Sequence, residues 1–398
     1  MQHRPIVIAS NRGPVSFRVD PDAPGGVVAR RGAGGLVSGL GPLVRGTDAL
    51  WVAAAMTEGD RLVAARGATE AEGHRVRLLD VAPATWDAFY DRVCNEALWF
   101  VHHGLNDATY EPAWPTGWLE GPWAAYREVN DAFAAALEAD APDGAVVLVQ
   151  DYHLCLVASR LRASRPDLHL VHFSHTPFAP PHWLRQLPLA AARELIEGLA
   201  AHHACGFHST RWLEDFLACC RWLDVAAPHA FASPLGIDVD DLEASLAAPA
   251  ARAAMADLDE LVGDRAFLVR VDRIELSKNV LRGFLAYEAL LESAPQWRER
   301  VVFGAFVYPS RQGVPAYDRY ARAVAEAVER IDARFATDGW RPIHYDPATT
   351  TPARWRRWRA DVVLVNPVRD GLNLVAKEAA ALSRREAGVV LSPEAGVG

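Results

Sequence analysis

The chain is poor in cysteine: five thiols, Cys94, Cys155, Cys205, Cys219 and Cys220, are spread over 398 residues. Their number is odd and no Cys-x-x-Cys occurs, which argues against a disulfide framework and against a thiolate zinc site. Buried free thiols are the expected state. No apolar run approaches the ~18 residues of a membrane span, so no membrane partner is expected. The start, "MQHRPIVIAS", lacks the long apolar core and small-residue cleavage site of a secretory leader, and a cytoplasmic location is expected. There is no basic excess either. A net charge of −9 argues against nucleic acid as a partner while leaving room for a local cationic pocket. No cluster of ligand residues calls for a metal, and no cofactor is expected. Internal repeats and low-complexity linkers are absent.

What is present is the composition of a soluble globular enzyme, 51% hydrophobic and 23% charged, with length for two or three domains. Short β-branched runs alternate with helical patterns. Strands are predicted at "PIVIAS", "ALWVAAA", "AVVLVQD", "LHLVHFSH" and "HHACGFHS", then at "AFLVRVDR", "RVVFGAF", "ADVVLVNP" and "GVVLSPE". Several are apolar on both faces, as buried parallel strands are. One helix is read from Trp123, Tyr126, Val129, Phe133 and Leu137. A second, over about 315–335, is read from Tyr317, Val324, Val328, Ile331 and Phe335, with Pro315 in its first turn. Strand–helix alternation implies parallel sheets covered on both faces. The Ala/Pro-rich stretch from Ala226 to Arg252 breaks the rhythm. The expectation is an α/β chain of two doubly wound Rossmann-like domains, 1–238 and 239–398, facing across a cleft where ligands bind at strand carboxyl ends.

Chemistry-bearing residues fall at predicted strand ends. "SNRGP" places Arg12 after the first strand, where a guanidinium can grip phosphate in bidentate fashion; a solvated loop arginine is the alternative. "RRGAGGLVSGL" precedes a helical start with small residues, including Gly34, that let amides approach an anion. It is not a P-loop, and no strand is read ahead of it, as a dinucleotide fingerprint requires. "VQDYHL" and "HFSHTPF" deliver Asp151 and His175 to one sheet edge, whereas His153 and His172 read as satisfied structural histidines. "RVDRIELSKN" places Arg273 and Lys278 in one loop, able to neutralise a diphosphate without a metal. "YPSRQG" places Arg311 likewise. In "NPVRDGLNLVAKEAA", Asp370 and Gly371 make a turn into a helix, the amides of Asn373, Leu374 and Val375 form its first turn, and Glu378 lies further along. A plain N-cap role for Asp370 is the competing reading.

Together with "FYDRVCNEALWF" and "FLAYEALL", these motifs and their order resemble the trehalose-6-phosphate synthase family, retaining glycosyltransferases of family 20 with the GT-B fold. The resemblance covers nearly the whole chain. It implies a transferase moving glucose from UDP-glucose or GDP-glucose to glucose 6-phosphate. Gly34, Arg273, Lys278, Asp370, Gly371, Asn373, Leu374, Val375 and Glu378 look like donor ligands. Arg273, Lys278, Asp370 and His175 carry the catalytic expectation, with His175 and Asp370 on the transferred glucose. Arg12, Tyr90, Trp99, Asp151 and Arg311 look like the acceptor pocket. No covalent nucleophile is implied, and the departing phosphate takes the acceptor's proton. Nucleotide sugar and sugar phosphate are the expected partners, with self-association left open.

The sequence departs from the family pattern in three places. The Arg-Leu-Asp-Tyr-x-Lys-Gly pattern reads "RIELSKN", with Glu275 for aspartate and Asn279 for glycine. Asparagine tolerates positive φ, so the turn is expected to survive. The tryptophan expected after "LW" is missing. The sequence ends at "VVLSPEAGVG", where family members continue, so the second domain reads as truncated. Relatives that couple an activated cyclitol to an amino-cyclitol phosphate share the nucleotide site and are the nearest alternative; a silent sugar-phosphate sensor is another.

Overall fold

A computed structural model describes residues 4–32, 35–106, 114–311, 314–347, 359–383 and 385–397. The chain divides into two compact units, Met1–Leu235 and Gly236–Gly398.

Among the described residues of unit one, ten strands form: β1 Ile6–Ser10, β2 Val15–Val19, β3 Val27–Arg31, β4 Leu50–Ala54, β5 Thr69–Ala71, β6 His74–Leu79, β7 Val146–Gln150, β8 His169–Ser174, β9 Ala204–Phe207 and β10 His229–Ala232. Eight make one sheet in the order β10-β9-β8-β7-β1-β4-β6-β5, parallel except for β5. From β1 the chain winds outward through β4 to β6, then returns to β7 on the other side and continues through β8 to β10. Right-handed crossovers therefore put the helices of the two halves on opposite faces. The switch point lies between β1 and β7, so the loops after these strands flank the crevice where open α/β sheets take ligands.

Unit two has β11 Ala266–Ile274, β12 Val301–Pro309, β13 Ile343–Asp346, β14 Val362–Val365 and β15 Gly388–Leu391. Their order is β13-β12-β11-β14-β15, all parallel. Here the switch point lies between β11 and β14.

Each predicted strand is present. The helix Pro122–Asp140 buries Trp123, Tyr126, Val129, Phe133 and Leu137 with no residual exposure. Each such burial contributes roughly 1.5–3 kcal/mol. The helix Pro315–Phe335 buries the stripe read for it. All five cysteines are buried free thiols. Among the described residues, no helix is long and apolar enough to cross a membrane.

One expectation needs correction. The glycine loop does follow a strand: β3, paired antiparallel with β2 in a separate hairpin, leads into the helix Gly35–Val44. This is still not a dinucleotide fingerprint, because β3 lies outside the parallel sheet.

Candidate functional site

The described site residues fall in two groups, one in each unit, most of them at or after the ends of β1, β7, β8, β11, β12 and β14. In unit two, β11 feeds the turn Leu276–Lys278, and Asn279 closes it in the left-handed region at φ 58°. This is the conformation anticipated from asparagine in place of glycine. β14 feeds the loop 366–373 that enters the helix Leu374–Leu382. Because β11 and β14 are neighbours, the two loops stand side by side although about 90 residues separate them in the chain.

Lys278 Nζ meets Asp370 Oδ2 in an ion pair, and Asp272 Oδ1 stands 4.0 Å from the same ammonium. Burial works to lower the Lys278 pKa, but Asp370 and Asp272 outweigh it and the net shift is upward. Lys278 stays charged. The sequence reading left Lys278 and Asp370 open to ligand; the structure instead pairs them with each other, since each offsets the other's desolvation. A diphosphate entering here would exchange with Asp370 for the ammonium.

Asn373, not Asp370, is the N-cap. Its Oδ1 accepts from the Ala376 amide at 3.2 Å and its Nδ2 donates to Asp370 Oδ2 at 3.0 Å. The Asn373 amide donates to the Ala395 carbonyl, so it is not open to an anion as expected. Leu374 and Val375 begin the helix, where amides have no acceptor within it. Gly371 is buried in the turn and Glu378 is half-buried one turn along the helix. Gly34 lies outside the described residues.

Arg273 and Arg311 converge on one carboxylate. Glu275, with no solvent exposure, takes Arg273 Nη2 on Oε2 at 3.0 Å and Arg311 Nη1 on Oε1. Tyr317 Oη lies 3.1 Å from Arg311 Nη1. Arg311, grouped by sequence with residues of unit one, thus belongs to unit two and shares an anchor with Arg273.

In unit one, Arg12 Nη2 reaches Tyr90 Oη at 3.3 Å. Tyr90 sits on a wide helical stretch, Ala88–Leu98, with π-type bonding. Rings then run from Tyr90 to His153 (6.1 Å between centroids), Tyr152 (4.0 Å) and Trp99 (5.8 Å). Trp99 lies at the buried end of this row, against His103, as a packing residue and not a surface-facing one.

Asp151 ends β7 with φ 66° and ψ 172°, a backbone region nearly reserved for glycine. Its Oδ1 takes the amides of His175 (3.0 Å) and Thr176 (3.2 Å), tying the ends of β7 and β8 together. Burial raises its pKa to about 6 against these bonds. His175 is drawn down to about 4 by burial. Its Nε2 lies 2.9 Å from Gln150 Oε1 and its Nδ1 3.1 Å from His208 Nε2. Gln150 Oε1 can only accept, so Nε2 carries the proton of His175 and His208 donates to its Nδ1. His172 is buried and bonded to the Asp151 carbonyl, the structural role read for it. Among the described residues, no group of three His, Cys, Asp or Glu side chains is placed to hold a metal.

Sequence reading missed Arg270, Asp272, Gln150 and His208. The first two carried a legible signal. Opposite charges two residues apart, inside a run otherwise fit for a buried strand, share one sheet face and must pair.

The model of glycosyltransferase family 20 matches residues 4–397. The chain belongs to that family. A bifunctional trehalose-6-phosphate synthase/phosphatase of Thermoproteus tenax is 33% identical over 98% of this chain, which spans 54% of that protein's length. A trehalose-6-phosphate synthase of Mycobacterium sp. (strain KMS) is 31% identical over 94% of this chain and 78% of its own. The solved structure described as trehalose-6-phosphate from E. coli bound with UDP-2-fluoro glucose superposes with a TM-score of 0.82 at 26% identity, covering 98% of this chain and 85% of that one. The family 20 assignment, the GT-B fold and a transferase class expected from the motifs are thereby borne out.

Proposed function

We propose that this family 20 chain is a retaining glucosyltransferase that moves glucose from a nucleoside diphosphate glucose to glucose 6-phosphate and yields trehalose 6-phosphate. The observation that carries the reading is the switch point of unit two. There, Arg273 near the end of strand β11, and not on the loop as the sequence suggested, and Lys278 on the turn that follows it accompany Asp370 and a helix N-terminus on the neighbouring loop. That combination suits a diphosphate attached to a sugar. Two cations and first-turn amides meet the phosphates, and a carboxylate meets hydroxyls. The names of the relatives supply the acceptor. UDP as the base is favoured by the analogue bound in the E. coli structure; GDP-glucose is the alternative donor.

In this reading Arg273 and Lys278 bind the diphosphate and oppose the charge that grows on it as the glycosidic bond breaks. The amides of Leu374 and Val375 add to that grip, and Glu378 accepts from the ribose hydroxyls. Asp370, released from Lys278 by the incoming phosphate, accepts from the glucose. Arg12, Tyr90 and Asp151 of unit one receive the sugar phosphate. The acceptor hydroxyl attacks from the face the diphosphate leaves, and a departing phosphate oxygen takes its proton. No side chain forms a covalent bond. The substrates are those of the cytoplasm, and no cofactor enters the scheme.

Release of nucleoside diphosphate from UDP-glucose and from GDP-glucose, each with and without glucose 6-phosphate, tests the proposal. Acceptor-dependent release from one donor supports it and names the base. A folded chain that releases neither, or that binds without turnover, contradicts it.

A further inference from the structure

Arg270 sits in the middle of β11 with no solvent exposure. A buried guanidinium is costly unless its donors are matched and its charge is balanced. Asp272, two residues on along the same sheet face, balances it at 3.0 Å from Nε. The other end of the guanidinium spans two loops. Nη2 donates to the Lys278 carbonyl and Nη1 to the Asn279 carbonyl at 3.4 Å, both on the turn after β11. Nη1 also donates to Asn366 Oδ1 at 2.6 Å, at the start of the loop after β14. Asn279 Nδ2 closes the ring by donating to the Asn366 carbonyl at 3.0 Å. The packing leaves no slack: a Cβ on Gly283 would lie 2.6 Å from Arg270 Nη1.

We propose that Arg270 is a positioning residue of the donor site, a buried latch that fixes the loop carrying Lys278 against the loop carrying Asp370. It touches no ligand. It acts by holding the backbone of Lys278 and the root of the Asp370 loop at one spacing, so that cation, carboxylate and helix N-terminus meet a diphosphate sugar together. The inference rests on the proposed donor role of this switch point.

The test is calorimetric binding of UDP and of GDP to the full chain. Compared are wild type, Arg270→Lys, Arg270→Met, Asn366→Ala and Lys278→Ala, and Arg270→Met combined with Lys278→Ala. Asn366 is half-buried and neutral, so its truncation opens the latch without stranding a charge. The expected result is about tenfold weaker binding for Asn366→Ala and Arg270→Met, and a smaller loss for Arg270→Lys. In the Lys278→Ala background, Arg270→Met should change Kd less than about twofold, because the group it positions is gone. Unchanged binding in both Asn366→Ala and Arg270→Met overturns the latch, as does a full tenfold loss that persists without Lys278. A wild-type chain that binds neither diphosphate sinks the transferase reading itself, and the latch with it.

Discussion

Lys278 is the residue on which the proposed chemistry leans hardest. Removing one preorganised charge from a leaving group costs about 10²–10³ in kcat. Lys278→Ala should show that loss with an unchanged circular dichroism spectrum; turnover within a few-fold of wild type would refute its role. Asp151 gives a pH test. Its carboxyl, raised to about 6, is ionised above that pH and neutral below it. If the ionised form accepts from the acceptor sugar, kcat/KM falls as pH drops through about 6. The sugar phosphate titrates in the same range, with a second pKa of about 6. The comparison is therefore with Asp151→Asn: a lower plateau that keeps only the substrate's own ionisation is expected, and parallel profiles would exclude Asp151.

At the scale of the element, the helix Leu374–Leu382 depends on Asn373, which both caps it and steadies Asp370. Asn373→Asp keeps a cap oxygen, loses the Nδ2 donor and sets a second carboxylate beside Asp370. Asn373→Ala loses both functions and about 1 kcal/mol of stability. Thermal melts should separate the two variants, while donor KM should rise in both; an unchanged KM in Asn373→Asp would mean that the cap alone matters. The parallel strands were legible because burial on both faces leaves apolar runs. The β2–β3 hairpin was not: β2 alternates over only five residues, and β3 begins with two valines and ends in Arg30 and Arg31, so it shows neither an apolar run nor an alternation. Residue types at strand ends showed where the site lies. Their pairings were hidden, because Lys278 meets Asp370, and Arg311 joins Arg273 on Glu275, only through strand order. The buried pair Arg270 and Asp272 could have been read from charge placement alone.

At the scale of the molecule, unit one contains histidines kept neutral by burial. His172 is drawn down to about 4, and His202, against it at 5.2 Å, is also lowered. A His whose folded pKa lies below its unfolded value of about 6.5 lends stability above that pH and loses it as pH falls toward 4. Asp151 runs the other way, favouring the fold below about 4 and losing that contribution as pH rises through about 6. With His175, also drawn down to about 4, three histidines stand against one aspartate, and these groups destabilise unit one on acidification. Urea midpoints measured from pH 7 to 4 should fall, and less steeply for His202→Gln than for wild type; equal slopes would contradict the assignment. The central claim is the reaction itself. The most direct measurement is carbon NMR of the product formed from donor labelled at C1 of glucose, with glucose 6-phosphate as acceptor. The account predicts one new disaccharide phosphate in which the labelled carbon keeps the α configuration and is joined to C1 of the acceptor. A β linkage, labelled free glucose alone, or no acceptor-dependent product would contradict it.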